Sequence, residues 1–331
     1  MSITVGTFNL NNLFSRFNFQ AEIDEDSGGG GQRLRQSYEF SDPNDVRVRR
    51  YQGRLVRGKD AAGRGHLARR LLAIHEDIDV APPTVDVWAV QEIEDIDTLR
   101  YFASTDLGGS YPYVVLIEGN DPRLIDLAVL SRYPLGAVTS WQHAVHPEQP
   151  SRRVFGRDLL QVDVLNRSRS RRLFTLFNNH LKSHFVPYDQ DQETGAALAN
   201  RRRRQQADMV AQIVAAQTRP NSRYVITGDM NDPVDSPWLE PFTHSSQLNV
   251  RDALVLPVET RRAKADDPPP SNPAWTHRYK ATGEPAAYEL YDQIWLSPSL
   301  SDRHDGSWII RRRTHGGEGS DHDPALVRLA I

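Results

Sequence analysis

The sequence predicts an α/β protein in which two β-sheets pack face to face and helices cover their outer sides. Short runs of β-branched and aromatic residues recur along the whole chain, and helical patterns fall between them. Hydrophobic residues make up 38% of the 331 positions, which is enough for a packed core. Polar motifs are spread evenly from position 9 to position 322, which favours one domain over residues 1–331.

The elements are predicted in chain order from hydrophobic periodicity. A first strand over 3–8 is followed at 15–65 by a charged, glycine-containing stretch of little periodicity, which predicts a loop-like insertion. Helices are predicted from His66 onward, over 95–103 and over 200–216, where apolar residues share one face. Further strands are predicted at 85–90, 113–117, 124–130, 158–165, 172–177, 224–227, 293–296 and 325–329.

Composition narrows the possible functions. A net charge of −3 argues against a general positive coat for nucleic acid. The chain has no cysteine, so a metal site must use oxygen or imidazole ligands and a cysteine nucleophile is excluded. No run of about 18 apolar residues is present to span a bilayer, and no secretory signal pattern opens the chain. We therefore expect a cytoplasmic protein without a membrane span, and a monomer.

Five short polar motifs follow predicted strands or precede the last one. They are Asn9-Leu10-Asn11, Gln91-Glu92, Asn179-His180, Gly228-Asp229-Met230-Asn231 and Ser320-Asp321-His322. A single sheet-based fold can bring all five to one rim, where carboxylates and amides hold a hard cation and histidines face a phosphate. The pattern predicts metal-assisted hydrolysis of a phosphodiester.

Each acidic motif also has a purely structural interpretation. Glu92 ends a buried strand, and it is either a ligand for Mg²⁺ or Mn²⁺ or an acid that caps the next helix. Gly228 permits a sharp turn after which Asp229 and Asn231 point the same way. There the pair either binds phosphate and polarises water, or simply forms an Asx turn.

The histidine motifs suggest acid–base chemistry. A histidine base needs a partner that fixes its tautomer, and Asp292 is the candidate partner of His322. His180 offers a second imidazole for charge that develops on phosphate. Most arginines are expected on solvated turns and one exposed helix face. The candidate contacts to substrate phosphate are Asn179, Arg153 and Arg157.

Taken together and in this order, the five motifs resemble the endonuclease/exonuclease/phosphatase superfamily, which includes deoxyribonuclease I and exonuclease III. The resemblance covers nearly the whole chain outside the early insertion. It implies a four-layer αββα sandwich with two packed, mainly antiparallel β-sheets inside. It also implies a requirement for one or two divalent ions, Mg²⁺ or Mn²⁺.

The resemblance also implies a set of metal ligands. Asn9 and Glu92 resemble the family's metal-proximal pair, and Asp321 resembles the carboxylate that joins them. Asn11 belongs to the same expected set but departs from the family pattern, because many nuclease members carry an acid there. One negative charge fewer would weaken metal affinity or shift the preferred ion.

The remaining motifs resemble the family's catalytic residues. Asp229 and Asn231 resemble the pair that aligns the attacking water and binds the scissile phosphate, and His180 resembles the residue that contacts that phosphate. His322, paired with Asp292, resembles the catalytic histidine. Which of Asp229 and His322 removes the proton of water stays open.

The sequence leaves three functions to compare. The favoured one is a nuclease that cleaves DNA or RNA by in-line attack of water, with nucleic acid as its partner. The alternative is a phosphoesterase for a lipid or small-molecule ester, which needs fewer cations and a shaped pocket. A non-catalytic binding module is less favoured, because Glu92, Asp229 and His322 are all present.

Overall fold

A computed structural model of the chain describes residues 1–21, 53–73, 82–187, 190–245, 248–256, 264–280, 283–312 and 318–331. The helices are α1 Ala61–Leu71, α2 Ile96–Tyr101, α3 Gln192–Gln217, α4 Glu240–Thr243 and α5 Pro298–Ser301, and a π-helical turn at Phe102–Asp106 extends α2. The strands are β1 Ser2–Leu13, β2 Phe17–Ala21, β3 Gly53–Arg57, β4 Val87–Ile93, β5 Tyr113–Ile117, β6 Asp126–Ser131, β7 Leu135–Ser140, β8 Val145–His146, β9 Gln149–Arg153, β10 Leu159–Leu165, β11 Arg172–His180, β12 Tyr224–Asp229, β13 Arg251–Asp252, β14 His277–Tyr279, β15 Ala287–Glu289, β16 Asp292–Leu296, β17 His304–Ile309 and β18 Ala325–Ala330.

Two six-stranded sheets form the centre of the molecule. Their strand orders are β17-β18-β1-β4-β6-β5 and β13-β16-β12-β11-β10-β7. One inner pair of each sheet is parallel, β1 with β4 and β11 with β12, and the other neighbouring strands are antiparallel. Since parallel strands finish at the same edge of a sheet, the motifs at the ends of these four strands become neighbours in pairs.

Three buried layers separate the sheets and helices. Between the sheets lie alternate residues of the inner strands, among them Val5, Val87, Leu176, Val225 and Ile294. The opposite faces of the sheets pack against helices. Trp88 and Phe8 lie with α1 on one side, and Phe177 and Ile226 lie with α3 on the other. This arrangement confirms the four-layer αββα sandwich with mainly antiparallel sheets. Among the described helices, none combines the length and the apolar character that a membrane crossing requires.

Helix α3 is longer than the prediction of 200–216. It begins at Gln192, because the Asp191 side chain accepts a hydrogen bond from the main-chain N–H of Thr194 and caps the helix. The run Arg201 to Arg204 therefore lies in the middle of the helix. Arg203 is fully buried and its Nη1 lies 2.8 Å from Asp232 Oδ2, so at least one of these arginines is structural.

The predicted loop-like insertion at 15–65 is wrong at both ends. Strands β2 and β3 pair in antiparallel orientation, and α1 already begins at Ala61, five residues before the predicted helix start. The Asp60 carboxylate caps α1 by accepting a hydrogen bond from the main-chain N–H of Gly63. The middle of the insertion, 22–52, lies outside the described residues, as does Ile74 of the predicted helix.

Candidate active site

The inner strands share a change from apolar to polar side chains on the face between the sheets. On β1, Ile3 and Val5 lie in the inter-sheet core, and Thr7 and Asn9 continue the same face with the period of two that a strand imposes. The same change occurs at Ala89 and Gln91, Leu176 and Asn178, Val225 and Thr227, and Ile294 and Asp292. Register pairs Asn9 with Gln91, and Asp229 with both His180 and Asp292. One edge of the sandwich is therefore polar in both sheets.

Buried amides connect the two sheets directly beneath this polar edge. Gln91 Nε2 donates to Asn178 Oδ1 at 2.7 Å and to Thr7 Oγ1 at 3.2 Å. Asn178 Nδ2 donates across the interface to the main-chain carbonyls of Val90 and Ala128, at 3.1 and 3.0 Å. These hydrogen bonds fix the distance between the sheets, so the side chains above them are held in place.

A β-bulge turns Glu92 towards the site. Strict alternation would direct Glu92 to the face opposite Gln91, but the register between β4 and β6 shifts between Gln91 and Ile93. Glu92 takes a φ of 64°, which is uncommon for a residue with a Cβ. Its Oε2 accepts a hydrogen bond from the main-chain N–H of Asn12 at 3.0 Å. Local backbone strain therefore places this carboxylate between the sheets.

Four of the predicted residues converge around the Asn9 amide. Asn9 Nδ2 donates to Asp229 Oδ2 at 2.9 Å and to Glu92 Oε1 at 3.2 Å, so carboxylates from the two sheets meet at one donor. His180 Nε2 lies 3.5 Å from Asp229 Oδ2 and 3.9 Å from Glu92 Oε1. Asn9 Oδ1 accepts from the main-chain N–H of Asn11 at 2.9 Å.

Burial sets the charge states of this group. It raises the pKa of Asp229, against the opposing effect of the nearby His322 imidazole. It lowers the pKa of His180 well below its ordinary value, and the Arg157 guanidinium lowers it further. A neutral His180 leaves the negative charge of Glu92 and Asp229 without a cation on that side. Two carboxylates this close together, that of Asp229 buried and that of Glu92 partly exposed, favour a bound cation.

His322 and Asp292 form the pair expected from the sequence. His322 Nδ1 lies 2.6 Å from Asp292 Oδ2, and Asp292 is fully buried. The other ring nitrogen, Nε2, lies 3.9 Å from Asp229 Oδ2. Burial disfavours the imidazolium, but the carboxylates of Asp292 and Asp229 outweigh it and raise the pKa of His322. The ring is thus a fixed cation whose free edge faces the site.

Asp321 lies at the outer side of the same group. Its Oδ2 is 3.6 Å from Nε2 of His277, and the His277 and His322 rings are 4.7 Å apart. Burial favours the neutral acid, yet the nearby imidazoles of His277 and His322 hold the pKa of Asp321 well below its usual range. Ligand atoms of His277, Asp321 and His322 lie within 4.8 Å of one another. His277, which the sequence analysis did not select, therefore belongs to the site.

Lys59 is a second residue that the sequence analysis missed. Its Nζ donates to the main-chain carbonyls of Asn11 at 2.6 Å and Gly319 at 2.5 Å. Burial lowers the pKa of Lys59 to about 8, although Asp321 and Glu92 oppose this shift. No pattern marked it, because it lies within the stretch predicted as a loop.

The donor set fits a hard divalent cation. Glu92 and Asp229 supply carboxylate oxygens, Asp321 supplies another close to His322, and rotation of the Asn9 amide would turn its oxygen towards Glu92 and Asp229; carboxylate and amide oxygens are ligands that Mg²⁺ and Mn²⁺ accept. The two carboxylates that now share the Asn9 amide hydrogens define a position suited to positive charge. Asn11 Oδ1 accepts a hydrogen bond from Asn12 Nδ2 at 3.1 Å.

The turn after β12 needs its glycine. Gly228 has a φ of 130°, and a Cβ there would lie 2.0 Å from the carbonyl oxygen of Asn179. After the turn, the main-chain N–H of Asn231 donates to Asp229 Oδ1 at 2.9 Å, which is the Asx turn considered from the sequence. Asn231 Nδ2 donates to the carbonyl of Leu181 at 3.2 Å. Asn231 thus lies beside Asp229 and orients its carboxylate.

Asn179 does not face the site. It is fully buried, and its Nδ2 donates to the main-chain carbonyls of Phe177 at 3.2 Å and Thr227 at 3.3 Å. Alternation along β11 directs His180 between the sheets and Asn179 to the opposite face. This placement contradicts the prediction that Asn179 contacts substrate phosphate.

The two candidate arginines differ in their surroundings. Arg157 is buried, with Nε 3.1 Å from Asp121 Oδ2 and Nη1 donating to the carbonyl of Leu181 at 3.2 Å. Arg153 is exposed and donates to Asn120 Oδ1. Both line one pocket beside the site. Arg157 is committed to structural contacts, whereas Arg153 remains open to a ligand.

Asp323 and Ser320 position the loop that carries His322. Asp323 is fully buried, and the guanidinium groups of Arg70, Arg311 and Arg312 lie 2.7, 3.4 and 3.1 Å from its carboxylate. Ser320 Oγ donates to the main-chain carbonyl of Asn9 at 2.7 Å, which ties the loop to β1. The three arginines are far apart in the sequence, so no local pattern could indicate this cluster.

Comparison with known proteins agrees with this fold. A model of the Endonuclease/Exonuclease/phosphatase family matches residues 6–322. The chain is similar to an endonuclease/exonuclease/phosphatase of Bacteroides vulgatus, with 14% identity and a TM-score of 0.55 over 100% of this chain and 99% of that one. It is also similar to D. rerio TDP2 complexed with single strand DNA product, at 14% identity and a TM-score of 0.54 over 100% and 99% of the two chains. A mannosyl-6-phosphatase of Bacteroides thetaiotaomicron has 15% identity and a TM-score of 0.53 over 99% and 100%. No curated protein sequence matches the chain.

Proposed function

The chain belongs to the Endonuclease/Exonuclease/phosphatase family, and we propose that it is a divalent-metal-dependent phosphodiester hydrolase whose substrate is nucleic acid. One observation carries the proposal. Carboxylates from both sheets, Glu92 and Asp229, meet at the Asn9 amide with His180 beside them and His322 facing Asp229. This arrangement combines a cation position, a proton acceptor and an imidazolium within a few ångströms.

The residues of the site have separate roles in hydrolysis. Asn9, Glu92 and Asp321 would hold Mg²⁺ or Mn²⁺, and the bound ion would polarise a phosphate oxygen and offset its charge. Asp229 accepts the proton of the attacking water, since burial shifts its pKa towards neutrality, where a general base works best. Water oxygen forms the new bond to phosphorus as the ester oxygen departs in line.

The imidazoles of His322 and His180 interact with the phosphate group of the substrate. His322 is charged because of Asp292, so we assign it to stabilising the transition-state oxygens and to giving its Nε2 proton to the leaving oxygen. His180 stays neutral and donates to a phosphate oxygen from Nε2. These assignments make Asp229, instead of His322, the base for water.

The nucleic-acid part of the proposal has separate support. Arg153 and neighbouring cations lie beside the site, and phosphates next to the scissile one would meet them. A structural neighbour, D. rerio TDP2, is complexed with single strand DNA product. The rival substrate class is a small phosphoester, since another neighbour is a mannosyl-6-phosphatase.

A substrate panel tests both parts. Plasmid, single-stranded DNA, RNA, bis-p-nitrophenyl phosphate, a sugar phosphate and sphingomyelin are each incubated with Mg²⁺, Mn²⁺ or chelator. We expect cleavage of nucleic acid that requires metal. The variants His322→Ala and Asp229→Asn should lower turnover by about 10²–10⁴-fold, as loss of a general acid or base does. His304→Ala, an exposed histidine on β17, is the control. Unchanged turnover in either site variant contradicts the proposed chemistry, and activity on the sugar phosphate alone contradicts the substrate.

A further inference from the structure

A strongly cationic pocket lies beside the proposed active site. It has a volume of about 720 Å³ on a protein whose net charge is −3. Six cations line it, namely Arg123, Arg152, Arg153, Arg157, Arg202 and Lys182. Asp121 is the carboxylate among its lining residues. We call this feature the arginine pocket. Its charge is thus opposite in sign to that of the protein as a whole.

The single carboxylate cannot balance these cations. Asp121 is shared by Arg123, which contacts both of its oxygens at 3.1 and 3.0 Å, and by Arg157 at 3.1 Å. Arg202 and Lys182 donate to neutral carbonyl oxygens of the main chain. Positive charge therefore exceeds negative charge in the pocket, and an anionic ligand would relieve the mutual repulsion.

The protonation equilibria reflect this repulsion. Burial, together with the neighbouring charges of Arg152 and Arg157, lowers the pKa of Arg202 to about 10. Burial, together with nearby cations of which Arg157 has the largest effect, lowers the pKa of Lys182 to about 8. In each case the neighbouring charges named are positive. The groups are therefore held together at a cost in stability that a bound polyanion would offset.

The arginine pocket shares a wall with the active site. The carbonyl of Leu181 accepts hydrogen bonds from Arg157 Nη1 on the pocket side and from Asn231 Nδ2 on the site side, both at 3.2 Å. Lys182, the next residue, lines the pocket, and His180, the preceding one, contacts Asp229. A ligand that spans this wall would place one phosphate at Asp229 and further phosphates among the arginines.

The rim of the arginine pocket also offers an aromatic surface. Phe185 lines it and is 59% exposed. Bases of an unpaired strand stack on such rings without sequence preference, while cations follow the backbone phosphates. A duplex would keep its bases turned inward and could not use this ring.

From these observations we infer that the arginine pocket binds the phosphates next to the scissile one in a single strand of nucleic acid, with a base stacked on Phe185. The inference rests on the proposed function, and it narrows the substrate class to unpaired strands. It assigns Arg152 and Arg202 to phosphate contacts.

Equilibrium binding of oligonucleotides, measured under conditions in which they are not hydrolysed, tests this inference. Fluorescein-labelled oligothymidylates of two and ten residues are titrated in chelator, and anisotropy is followed between 50 and 500 mM salt. We expect the longer strand to bind more tightly. Arg152→Gln with Arg202→Gln should reduce the slope of log affinity against log salt by about 1.4, because each contact to a single strand contributes about 0.7. Phe185→Ala should weaken binding about tenfold. Arg171→Gln, an exposed arginine of the β10–β11 turn, is the matched control and should bind like the unchanged protein.

Two results would overturn the inference. One is an unchanged salt slope in the double variant, with thermal melts that show both proteins folded. The other is displacement of the ten-residue strand by tripolyphosphate as effectively as by unlabelled strand, which would identify a small polyphosphate as the ligand. Hydrolysis of bis-p-nitrophenyl phosphate by the unchanged protein tests the proposed function separately. Strand binding without that hydrolysis would refute the activity and leave the pocket intact.

Discussion

Replacing Asp292 by asparagine tests whether the buried carboxylate keeps the His322 imidazole protonated and oriented. The change keeps the shape of the side chain but removes the negative charge 2.6 Å from His322 Nδ1. A hydrogen bond to a charged group contributes about 1.5–3 kcal/mol. At about 1.36 kcal/mol for each factor of ten, its loss in the transition state should lower kcat by about 10–150-fold. KM should change little, because Asp292 lies behind the imidazole.

The pH profile distinguishes this role from a purely structural one. Asp292 raises the pKa of His322, so the imidazolium of the unchanged protein persists to alkaline pH. In Asp292→Asn that pKa falls, and the alkaline limb of kcat should move to lower pH. The assay is hydrolysis of bis-p-nitrophenyl phosphate across pH with Mn²⁺. Asp305→Asn, an exposed carboxylate paired with Arg328, is the control. A kcat within threefold of the unchanged value, with an unshifted limb, would refute the role of Asp292.

Two further predictions concern the scaffold. Gly228→Ala should abolish activity and lower the melting temperature, because its Cβ would lie 2.0 Å from the Asn179 carbonyl oxygen. Gly109 also has a positive φ, but no atom lies within 4 Å of a Cβ added there, so Gly109→Ala measures the backbone cost alone, about 1–3 kcal/mol. If the two substitutions destabilised the protein equally, the predicted clash at Gly228 would be contradicted. Burial raises the pKa of Asp158 to about 7 from 3.8, so the folded state favours the protonated acid and loses stability as pH rises from about 4 to about 7. Asp158→Asn should remove about 2.7 kcal/mol of that dependence between pH 5 and pH 8 in urea unfolding, because each of the two pH units from 5 to 7 contributes about 1.36 kcal/mol, and an identical pH dependence in both proteins would contradict it.

The strands could be predicted because the residues that face the space between the two sheets are apolar along each inner strand up to the edge where the active site lies. The runs at 113–117, 158–165 and 224–227 were predicted to within a few residues of β5, β10 and β12. The same period of two also marks Asn178, since it follows Phe174 and Leu176 on one face. Extending the alternation past the apolar residues would have identified the buried amides that join the sheets.

Other features depend on contacts that sequence order does not show. Lys59 reaches the site from a stretch with no periodicity, and His277 enters because β14 bridges to His322. The direction of Glu92 depends on a positive φ, for which glutamate carries no preference. Asn179 was misassigned because adjacent residues of a strand face opposite sides. Long-range packing decides each of these cases.

The position of a bound cation tests the central claim most directly. Crystals of the protein soaked with Mn²⁺ would be measured at the manganese absorption edge, and the anomalous peak would be located. We expect the peak within about 2–2.5 Å of a Glu92 carboxylate oxygen, beside Asn9 and between the two sheets. A peak confined to another part of the molecule, with Glu92 and Asp229 still sharing the Asn9 amide, would contradict a metal-dependent hydrolase site at this edge of the sandwich.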